Sequence, residues 1–424
     1  MQNKENKRVL ITGITGMVGS HLADFLLENT NWEIHGMCRW RSPLDNISHL
    51  LEKINNGDRV FQHYADLRDY QSIQSVVENV RPDYVYHLAA QSFPKTSFSS
   101  PDDTLDTNIN GTSRLLEIIK HCKGIDPVIH VCASSEIFGR VSKEHLPIDE
   151  ECPFHPASPY AISKVGTDLI GRYHAEAYGQ KVITTRMFTH TGPRRGDVFA
   201  ESSFAKQIAM IESGVIPPVI KVGNLDSLRT WADVRDAVRA YHLLLTKNPK
   251  KGESYNIGGT YTCKIGDMLD YLISISKIKN IKKKLDKNRL RPLDADLQVP
   301  NTTKFFNQTK WKPQYKFKET RQLKYKTFVF SSIRKSKLGH CFNIDKTFKS
   351  ICEEAKVRRL PIYMLRHSWA SIGLNDGVSL KDIKDEGGWK SWDMVESYSK
   401  AGEKRRSQTS QRIASVMSGK VTTQ

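Results

Sequence analysis

The stretch RVLITGITGMVGSHLADFLLE, residues 8–28, decides the fold. Its first five residues, RVLIT, predict a short buried β-strand, and a glycine-rich turn leads from that strand straight into a helix. Gly13 permits the tight turn, Gly16 allows the backbone to approach a ligand, and Gly19 allows the helix to pack on the strand. A helix N-terminus also presents unpaired N–H groups to phosphates. The stretch therefore predicts a dinucleotide site at the first strand of a sheet.

Strands and helices alternate along the residues that follow. Predicted strands are WEIHGMC, RVFQHYADL, DYVYHLAA, PVIHVCAS and KVITTRMF, and predicted helices cover residues 70–79, about 102–122 and 160–179, with QSFPKTSFSS as a loop. Residues 201–320 carry shorter elements, with helices near 202–213 and 264–276 and a strand SYNIGG. This order predicts an α/β fold: a Rossmann-type doubly wound parallel sheet with a small α/β substrate-capping part.

Charge divides the chain into unlike parts. Residues 1–276 hold 30 basic and 32 acidic side chains, residues 277–320 hold 13 and 4, and residues 321–424 hold 21 and 10. The net charge of +18 therefore belongs to the last third of the chain. The basic stretch KIKNIKKKLDKNRLRPLDAD at 277–296 is interpreted as a solvated face rather than a recognition site. No apolar run is long enough for a membrane span and no signal peptide is recognisable, which predicts a cytoplasmic protein. Seven scattered cysteines indicate neither disulfides nor a metal site.

Chemistry concentrates between residues 131 and 164. The strand PVIHVCAS ends in Ser134, Ser135 and Glu136, at the sheet edge where ligands bind in open α/β folds. Tyr160 and Lys164 are four residues apart at the start of a helix, so both side chains share one face. A lysine there is expected to lower the phenol's pKa so that Tyr160 acts as a base. Because chance alone gives about one such pair in a chain of this composition, the context decides its weight.

The end of the second strand bears on the cofactor. Where an NAD-binding fold would carry an acidic residue for the ribose hydroxyl, the sequence has Arg39 and Arg41, which favours the 2′-phosphate of NADP over NAD. A solvated basic loop is the alternative. Asp66 at the end of the third strand is expected near the adenine, LAAQS (88–92) along the cofactor, and the arginines of THTGPRRGD near phosphates.

Together these motifs resemble the extended short-chain dehydrogenase/reductase family and, among its branches, the GDP-mannose 4,6-dehydratases. The resemblance covers roughly residues 7–320 through TGITGMVG, ADL, HLAAQS, ASSEIFG, SPYAISK, FTHTGPRRG and GNLDSLRTWADVRDA. It implies catalytic roles for Ser134, Glu136, Tyr160 and Lys164. It implies NADP contacts at Gly13, Thr15, Gly16, Met17, Val18, Gly19, Asp66, Leu67, Leu88, Ala89, Ala90, Gln91, Ser92, His190 and Arg195. It implies that Arg229, Arg291 and Asp294 hold the nucleotide diphosphate of a GDP-sugar.

The resemblance implies a lyase that converts a GDP-hexose to its 4-keto-6-deoxy derivative, and a homodimer or homotetramer. The expected division is a Rossmann core at about 7–190 and a substrate-binding part at about 190–320. Thr189 stands where the family usually has Asn, Ser202 and Ser203 replace Arg-Lys, and Asp294 replaces Glu, so a GDP-heptose is an alternative substrate. Epimerase, reductase and decarboxylase activities of related enzymes are the alternative reactions.

The tail, residues 321–424, changes character. YMLRHSWASIGLNDGVSLKDIKDEGGWKSWDMVESYSK (363–400) resembles the C-terminal catalytic segment of tyrosine recombinases, the phage integrases, with matching positions at Arg366, Trp389 and Tyr398. Tyr363 replaces the usual His, and no upstream Arg or Lys is assignable. We therefore expect a partial, mainly α-helical domain that binds DNA weakly and does not recombine it. A DNA-joining protein with a vestigial enzyme part is the alternative reading of the whole chain.

Overall fold

Strands and helices alternate from Arg8 onward in the computed structural model, which describes residues 6–316. The strands of these residues are β1 (Arg8–Thr12), β2 (Glu33–Cys38), β3 (Val60–Tyr64), β4 (Tyr84–His87), β5 (Val128–Cys132), β6 (Lys181–Met187), β7 (His190–Thr191), β8 (Val219–Val222), β9 (Leu228–Asp233), β10 (Ser254–Ile257), β11 (Tyr261–Lys264), β12 (Lys282–Leu285) and β13 (Leu297–Gln298). The α-helices are α1 (Met17–Asn29), α2 (Leu51–Asn56), α3 (Tyr70–Val80), α4 (Pro94–Ser99), α5 (Pro101–Leu105), α6 (Gly111–His121), α7 (Pro159–Tyr178), α8 (Ala200–Glu212), α9 (Val234–Thr246), α10 (Ile265–Ser274) and α11 (Thr303–Thr309).

The main sheet has seven strands in the order β10-β6-β5-β4-β1-β2-β3, and every pairing in it is parallel. Strand order reverses between β1 and β4, because the chain first runs outward to β3 and then returns to the other side of β1. In doubly wound sheets the crevice at this reversal binds ligands. The predicted Rossmann-type fold is confirmed for these residues.

Both faces of the sheet are buried, which explains why its strands are apolar without alternation. Ile11 of β1 belongs to a core that also contains Leu22 of α1 and Tyr241 of α9. Leu10, its neighbour, points into the opposite core beneath α3 and α6, where Leu115 lies. Helices therefore cover the two faces as separate layers and leave the carboxyl ends of the strands open.

Three predictions from the sequence need correction. The predicted loop 91–100 contains the short helix α4, which begins at Pro94, where proline's fixed φ suits a first helical position. The predicted helix 102–122 is interrupted by a π-helical turn, Asp106–Asn110, between α5 and α6. The strand SYNIGG was expected in the substrate-capping part, but β10 pairs with β6 and forms the edge of the main sheet. Local sequence does not specify a pairing between strands so far apart.

The remaining elements form a second, smaller layer of structure beside the sheet. Strands β7, β11 and β13 all pair with β9, while β8 pairs with β12. A separate apolar core, which includes Phe204 of α8 and Leu269 of α10, holds these elements together. The lysines of β12 are exposed, as the interpretation of a solvated face requires. No helix among residues 6–316 combines the length and apolar character of a membrane span.

Candidate active site

A cavity of about 990 Å³ lies along the carboxyl ends of the main strands. Its walls come from four places: the start of α1, the segments after β4 and β5, the first turn of α7, and the elements between β6 and β13. Predicted residues that line it are Gly13, Gly16, Met17, Val18, Gly19, Leu88, Ala90, Ser92, Ser134, Glu136, Tyr160, Lys164, His190, Arg195, Arg229, Arg291 and Asp294. The three predicted groups of residues, for cofactor, catalysis and substrate, thus share one cavity.

The glycine turn forms a cradle at one end of this cavity. Gly13 has φ +77°, and a Cβ there would lie 2.9 Å from the Ala89 Cα. A Cβ on Gly19 would lie only 2.3 Å from the Gly13 carbonyl oxygen, so α1 packs on the turn at a distance that only glycine allows. Gly16 is the N-cap residue of α1 and has no side chain that could bond the N–H groups of the first turn. The N–H groups of the first turn are therefore available to an anion, and the site fits the pyrophosphate of a dinucleotide.

A buried hydrogen-bond network fixes the segment after β4. The Thr12 hydroxyl accepts from the backbone N–H groups of Leu88 and Ala89, both at 3.1 Å, and lies 2.9 Å from Nδ1 of His87. Burial, followed by the charge of Lys164, lowers the pKa of His87 to about 3, so its ring is neutral. With its oxygen already accepting twice, Thr12 donates to His87 Nδ1, which leaves Nε2–H to face Thr112.

Asn108, in the π-helical turn, links this segment to α7. Its Oδ1 accepts from the Gln91 N–H at 2.8 Å, and its Nδ2 donates to the Gln91 carbonyl and to the Ser163 hydroxyl. Ser163 in turn donates to the Tyr160 carbonyl at 2.7 Å. The segment that lines the cofactor end and the helix that carries Tyr160 are thus held by one fully buried side chain. Sequence reasoning did not identify Asn108.

The predicted catalytic residues converge at the start of α7. Ser158 caps the helix by accepting from the Ala161 N–H, and Pro159 occupies the first position, which fixes Tyr160 and Lys164 in the first turns. Tyr160 shares a hydrogen bond with the Ser134 side chain, whose oxygen also accepts from the Glu136 N–H at 3.2 Å. Ser134 therefore orients both the phenol and the backbone that carries Glu136.

The expected lowering of the Tyr160 pKa is wrong for this structure. Burial, the largest cause, raises the pKa of Tyr160, and the hydrogen bond from Ser134 opposes it only in part. The Lys164 ammonium donates to the Cys132 carbonyl at 2.8 Å, and burial lowers the pKa of Lys164. Desolvation of the phenol outweighs the favourable charges around it, an effect that spacing alone does not reveal.

Glu136 lies in a cluster of charges that lines the same cavity. Its two carboxylate oxygens are 4.0 Å from Arg229 Nη2 and 3.5 Å from Arg291 Nη1. Asp294 lies 3.8 Å and 3.7 Å from the same two guanidinium groups. Arg229 is buried and also donates to the Ala295 carbonyl, so its position on β9 is fixed. The predicted diphosphate ligands therefore surround the predicted base.

The sequence model of the GDP-mannose 4,6 dehydratase family matches residues 10–323. The chain belongs to the GDP-mannose 4,6-dehydratase family. GDP-mannose 4,6 dehydratase 1 of Arabidopsis thaliana is 32% identical over 326 residues, which are 74% of this chain and 88% of the plant protein. GDP-mannose 4,6-dehydratase of Yersinia enterocolitica is 36% identical over 247 residues, 57% of this chain. That alignment spans 65% of the bacterial relative's length, as do those with two Vibrio cholerae relatives.

Solved structures of related enzymes share the fold of this dehydratase family member. RMD from Pseudomonas aeruginosa complexed with NADPH superimposes with a TM-score of 0.64 at 28% identity and covers 76% of this chain and 98% of its own. The dTDP-glucose 4,6-dehydratase of Streptomyces venezuelae with NAD gives 0.65 at 23% identity, covering 75% and 96%, a likeness of fold. The predicted Rossmann architecture is confirmed by both.

A second family model, that of the phage integrase family, matches residues 264–405. This confirms the resemblance of the tail to recombinases. The match overlaps the dehydratase match over residues 264–323, and the described part of that overlap forms α10, β12, β13 and α11 of the dehydratase-like structure. The predicted recombinase positions Arg366, Trp389 and Tyr398, and the predicted helical character of the tail, lie outside the described residues.

Some predicted cofactor residues do not line the cavity. Arg39 and Arg41 are exposed at the end of β2, beside Trp40, whose ring meets that of Tyr64 edge-on. Asp66 is paired with Arg68 at 2.8 Å. The others are Thr15, Leu67, Ala89 and Gln91. Of these, Ala89 packs against Gly13, and Asn108 holds the Gln91 backbone. Like the other site assignments, those of these seven residues stay predictions.

Several lining residues were not predicted. Asn46 donates to the Thr15 carbonyl at 2.9 Å and thus supports the glycine turn. Phe199 stacks beneath Arg195, with 3.5 Å from the guanidinium carbon to the ring centre. Lys95 and Arg289 also reach the cavity. No group of three or more His, Cys, Asp or Glu side chains between residues 6 and 316 is placed to hold a metal ion.

Proposed function

We propose that the protein is a sugar-nucleotide 4,6-dehydratase of the GDP-mannose type, a carbon–oxygen lyase that uses NADP. The observation that carries the proposal is the convergence, in one cavity, of Ser134, Tyr160 and Lys164 with a carboxylate, Glu136, between two arginines. A 4-epimerase needs no such carboxylate, because its reaction does not remove a proton from C5. The relatives from Yersinia enterocolitica and Vibrio cholerae carry the same name as the family.

The chain's own residues supply two bases for the proton transfers and two arginines that bind the substrate. Tyr160, oriented by Ser134, takes the proton of the sugar's O4 as C4 becomes a ketone. Glu136 then takes the C5 proton, which the ketone makes acidic, and that proton leaves with the C6 hydroxyl as one water. As C6 is reduced, C5 regains a proton, which balances the one that Tyr160 took from O4. Arg229 and Arg291 hold the diphosphate that fixes the sugar over Glu136. Overall the substrate loses one water and the cofactor is not consumed.

NADP fits the cradle formed by Gly13, Gly16 and Gly19, and we assign its 2′-phosphate to Arg39 and Arg41, which are exposed at the end of β2. Bound there, NADP⁺ would supply the hydride acceptor for C4 of the sugar and, in its reduced form, the hydride donor for C6. Joint replacement of Arg39 and Arg41 by alanine is expected to weaken NADP binding much more than NAD binding, because charge-assisted hydrogen bonds to the phosphate are lost. Equal affinity of the wild-type protein for both cofactors would contradict the assignment.

The decisive experiment is incubation with GDP-mannose, followed by detection of a 4-keto-6-deoxy product by mass spectrometry and its carbonyl absorbance. A product 18 mass units lighter than the substrate, the mass of one water, supports the proposal. A parallel reaction with a GDP-heptose tests the alternative sugar, which the departures at Thr189, Ser202 and Asp294 leave open. A product of unchanged mass would favour epimerisation, and loss of carbon dioxide from an acidic sugar would favour decarboxylation.

We infer a homodimer or homotetramer built through α7. Ile162 and Tyr173, which lie on the outer side of this helix, are 50% and 54% exposed, and Leu169 is exposed as well. Large apolar side chains on one helix face indicate an interface. Light scattering coupled to gel filtration measures the mass directly, and a monomer that keeps full activity would contradict the inference. The cytoplasmic location expected from the sequence stays a prediction.

The match to the phage integrase family supports a second, lesser role for the tail. We propose weak DNA binding without sequence preference, since residues 321–424 carry 21 basic and 10 acidic side chains, and no strand transfer. Nicked suicide duplexes would reveal a covalent adduct if Tyr398 were an active nucleophile. An adduct that is absent in Tyr398→Phe would favour the DNA-joining alternative.

A further inference from the structure

The segment that follows β12 forms part of the cavity wall. It makes a 3-10 turn over Lys287–Arg289, and Asp286, Asn288, Arg289 and Arg291 all line the cavity. This segment therefore brings a second arginine, Arg289, to the same wall as the predicted diphosphate ligand Arg291. The cofactor, catalytic and substrate roles proposed above do not involve Arg289.

Two contacts fix the backbone of this segment. Lys95, on α4 beside the main sheet, donates its ammonium to the Asn288 carbonyl at 2.6 Å. On the other side, a Cβ at Gly223 would lie 2.8 Å from the Arg289 carbonyl oxygen, so glycine at 223 lets the two backbones approach closely. The Arg289 side chain is therefore carried by a backbone held from both sides.

The guanidinium of Arg289 is directed at α8. Its Nη1 donates to the Ser203 hydroxyl at 3.1 Å, and its Nε lies 3.5 Å from an Asp286 oxygen. The side chain is 35% exposed. Arg229 and Arg291, by contrast, are both shared between Glu136 and Asp294. Arg289 thus differs from Arg229 and Arg291, because its partners among the described residues are Ser203 and Asp286 and not Glu136.

Arg289 reaches a position that bears on the binding of the substrate's phosphates. Ser203 is one of the two serines that replace the Arg-Lys pair usual in the resemblance described above. The structure places a cation at this point from a different element, 86 residues further along the chain. The Arg289 guanidinium donates through Nη1 to a neutral hydroxyl, and its only carboxylate neighbour within residues 6–316, Asp286, lies at Nε. Because a guanidinium has five N–H donors and this one is partly exposed, donors remain for an anionic ligand.

We propose that Arg289 binds a phosphate of the substrate's nucleotide diphosphate and supplies the charge that Ser202 and Ser203 lack. The inference rests on the proposed function, and it adds a substrate-specificity residue to it. Arg289 contacts the non-reacting end of the substrate, so it contributes to binding of substrate and transition state alike. Its loss affects KM far more than kcat.

The test uses the full-length chain and GDP as the probe, titrated by calorimetry. Arg289→Ala is expected to weaken GDP binding about ten- to a hundredfold, the usual range for a lost charge-assisted hydrogen bond, and to leave binding of guanosine unchanged. Lys287→Ala is the matched control, because Lys287 is an exposed cation in the same turn that does not line the cavity. Adding Ser203→Lys to Arg289→Ala should restore GDP binding in part.

The outcomes separate this inference from the proposed function. If the wild-type protein does not bind GDP, both are overturned. If the wild-type protein binds GDP and Arg289→Ala binds it equally well, or if Lys287→Ala loses as much affinity, only the role of Arg289 is overturned. With GDP-mannose as substrate, a raised KM at nearly unchanged kcat supports the role, and a lowered kcat at unchanged KM contradicts it.

Discussion

Glu136 links substrate binding with proton abstraction in the proposed reaction. The arginines that would grip the diphosphate, Arg229 and Arg291, also lie 4.0 Å and 3.5 Å from its carboxylate. Because Ser134 accepts from the Glu136 N–H, the backbone of the base is fixed by the residue that also orients Tyr160. Substrate position and proton abstraction at C5 are therefore set by the same few contacts.

Glu136→Gln is expected to lower the rate of elimination by about two to four orders of magnitude, because an amide cannot accept the C5 proton. The amide keeps the size of the side chain, so NADP binding and the unfolding midpoint should stay at wild-type values. The measurement is turnover of GDP-mannose together with cofactor titration. Glu144→Gln, at an exposed position, is the control. Unchanged turnover in Glu136→Gln would remove this residue from the mechanism.

Lys164 and Tyr160 allow a test based on pH. Burial raises the pKa of Tyr160, and the phenol must lose its proton before it can act as a base, so kcat/KM should rise with pH. A nearby ammonium favours the charged phenolate. Lys164→Met should therefore move the midpoint of this rise to still higher pH.

The contrary outcome is also informative. Lys164 donates to the Cys132 carbonyl, so it also holds the end of β5. If Lys164→Met lowers kcat but leaves the midpoint of the pH profile unchanged, the lysine acts only by positioning. Lys181→Met, at an exposed lysine paired with Asp126, controls for the loss of a positive charge elsewhere in the protein.

At the scale of elements, the β1–turn–α1 unit depends on contact between backbones. Gly19→Ala would place a methyl group 2.3 Å from the Gly13 carbonyl oxygen and 2.8 Å from the Ile14 Cα, and neither atom belongs to a flexible side chain. We expect a loss of about 1 to 3 kcal/mol in the free energy of unfolding and a large loss of NADP affinity, since α1 must shift. Denaturant titration and cofactor binding measure both.

Gly196→Ala is the control for this substitution. A Cβ at Gly196 would meet only side-chain atoms of Val198 and Phe199, at 3.8 Å or more, which is ordinary contact. Stability should therefore be retained in this variant. If Gly19→Ala binds NADP as the wild-type protein does, the close packing of α1 on the turn is not needed to hold the cofactor.

The sequence predicts this element well because its signals are local. Gly13, Gly16 and Gly19 follow a buried strand directly, and Ser158 with Pro159 marks the start of α7. What local signals cannot show is which strand pairs with which: β10 follows β6 by nearly seventy residues and still forms its neighbour. Serine-rich segments such as 95–100 also favour loops by composition, although tertiary packing holds α4 as a helix.

At the scale of the whole molecule, the sequence likewise predicts those parts of the site that depend on local signals and not those that depend on long-range contacts. Tyr160 and Lys164 are predictable because one helix carries both, and Glu136 because it ends a strand. Asn108 reaches Ser163 and Lys95 reaches Asn288 across 55 and 193 residues, contacts that exist only when the sheet and the smaller layer are assembled. Their side chains carry no spacing pattern. Burial of Tyr160, which reverses the expected pKa shift, is likewise a property of the assembled protein.

Assembly also buries titratable rings, and this predicts an acid-sensitive fold. Burial lowers the pKa of His130 to about 3, whereas the ring titrates at its ordinary value of 6.5 in an unfolded chain. Between these two values the unfolded state binds a proton that the folded state does not, so acid favours unfolding. The stability is complete above pH 6.5 and is lost progressively as the pH falls towards 3. From pH 7 to pH 5, His130 alone should cost about 2 kcal/mol.

Denaturant unfolding at pH 7 and pH 5 measures this loss. His130→Gln, whose amide can still hydrogen-bond to the Thr185 hydroxyl that faces Nε2, should lose about 2 kcal/mol less between the two pH values than the wild-type protein does. His121→Gln is the matched control, because the His121 side chain is 68% exposed and needs no desolvation on folding. Differences between variants cancel contributions from the rest of the chain. If His130→Gln and His121→Gln show the same pH dependence, His130 is not the source of the acid sensitivity, and the other buried rings with lowered pKa values, His87 foremost, become the groups to test.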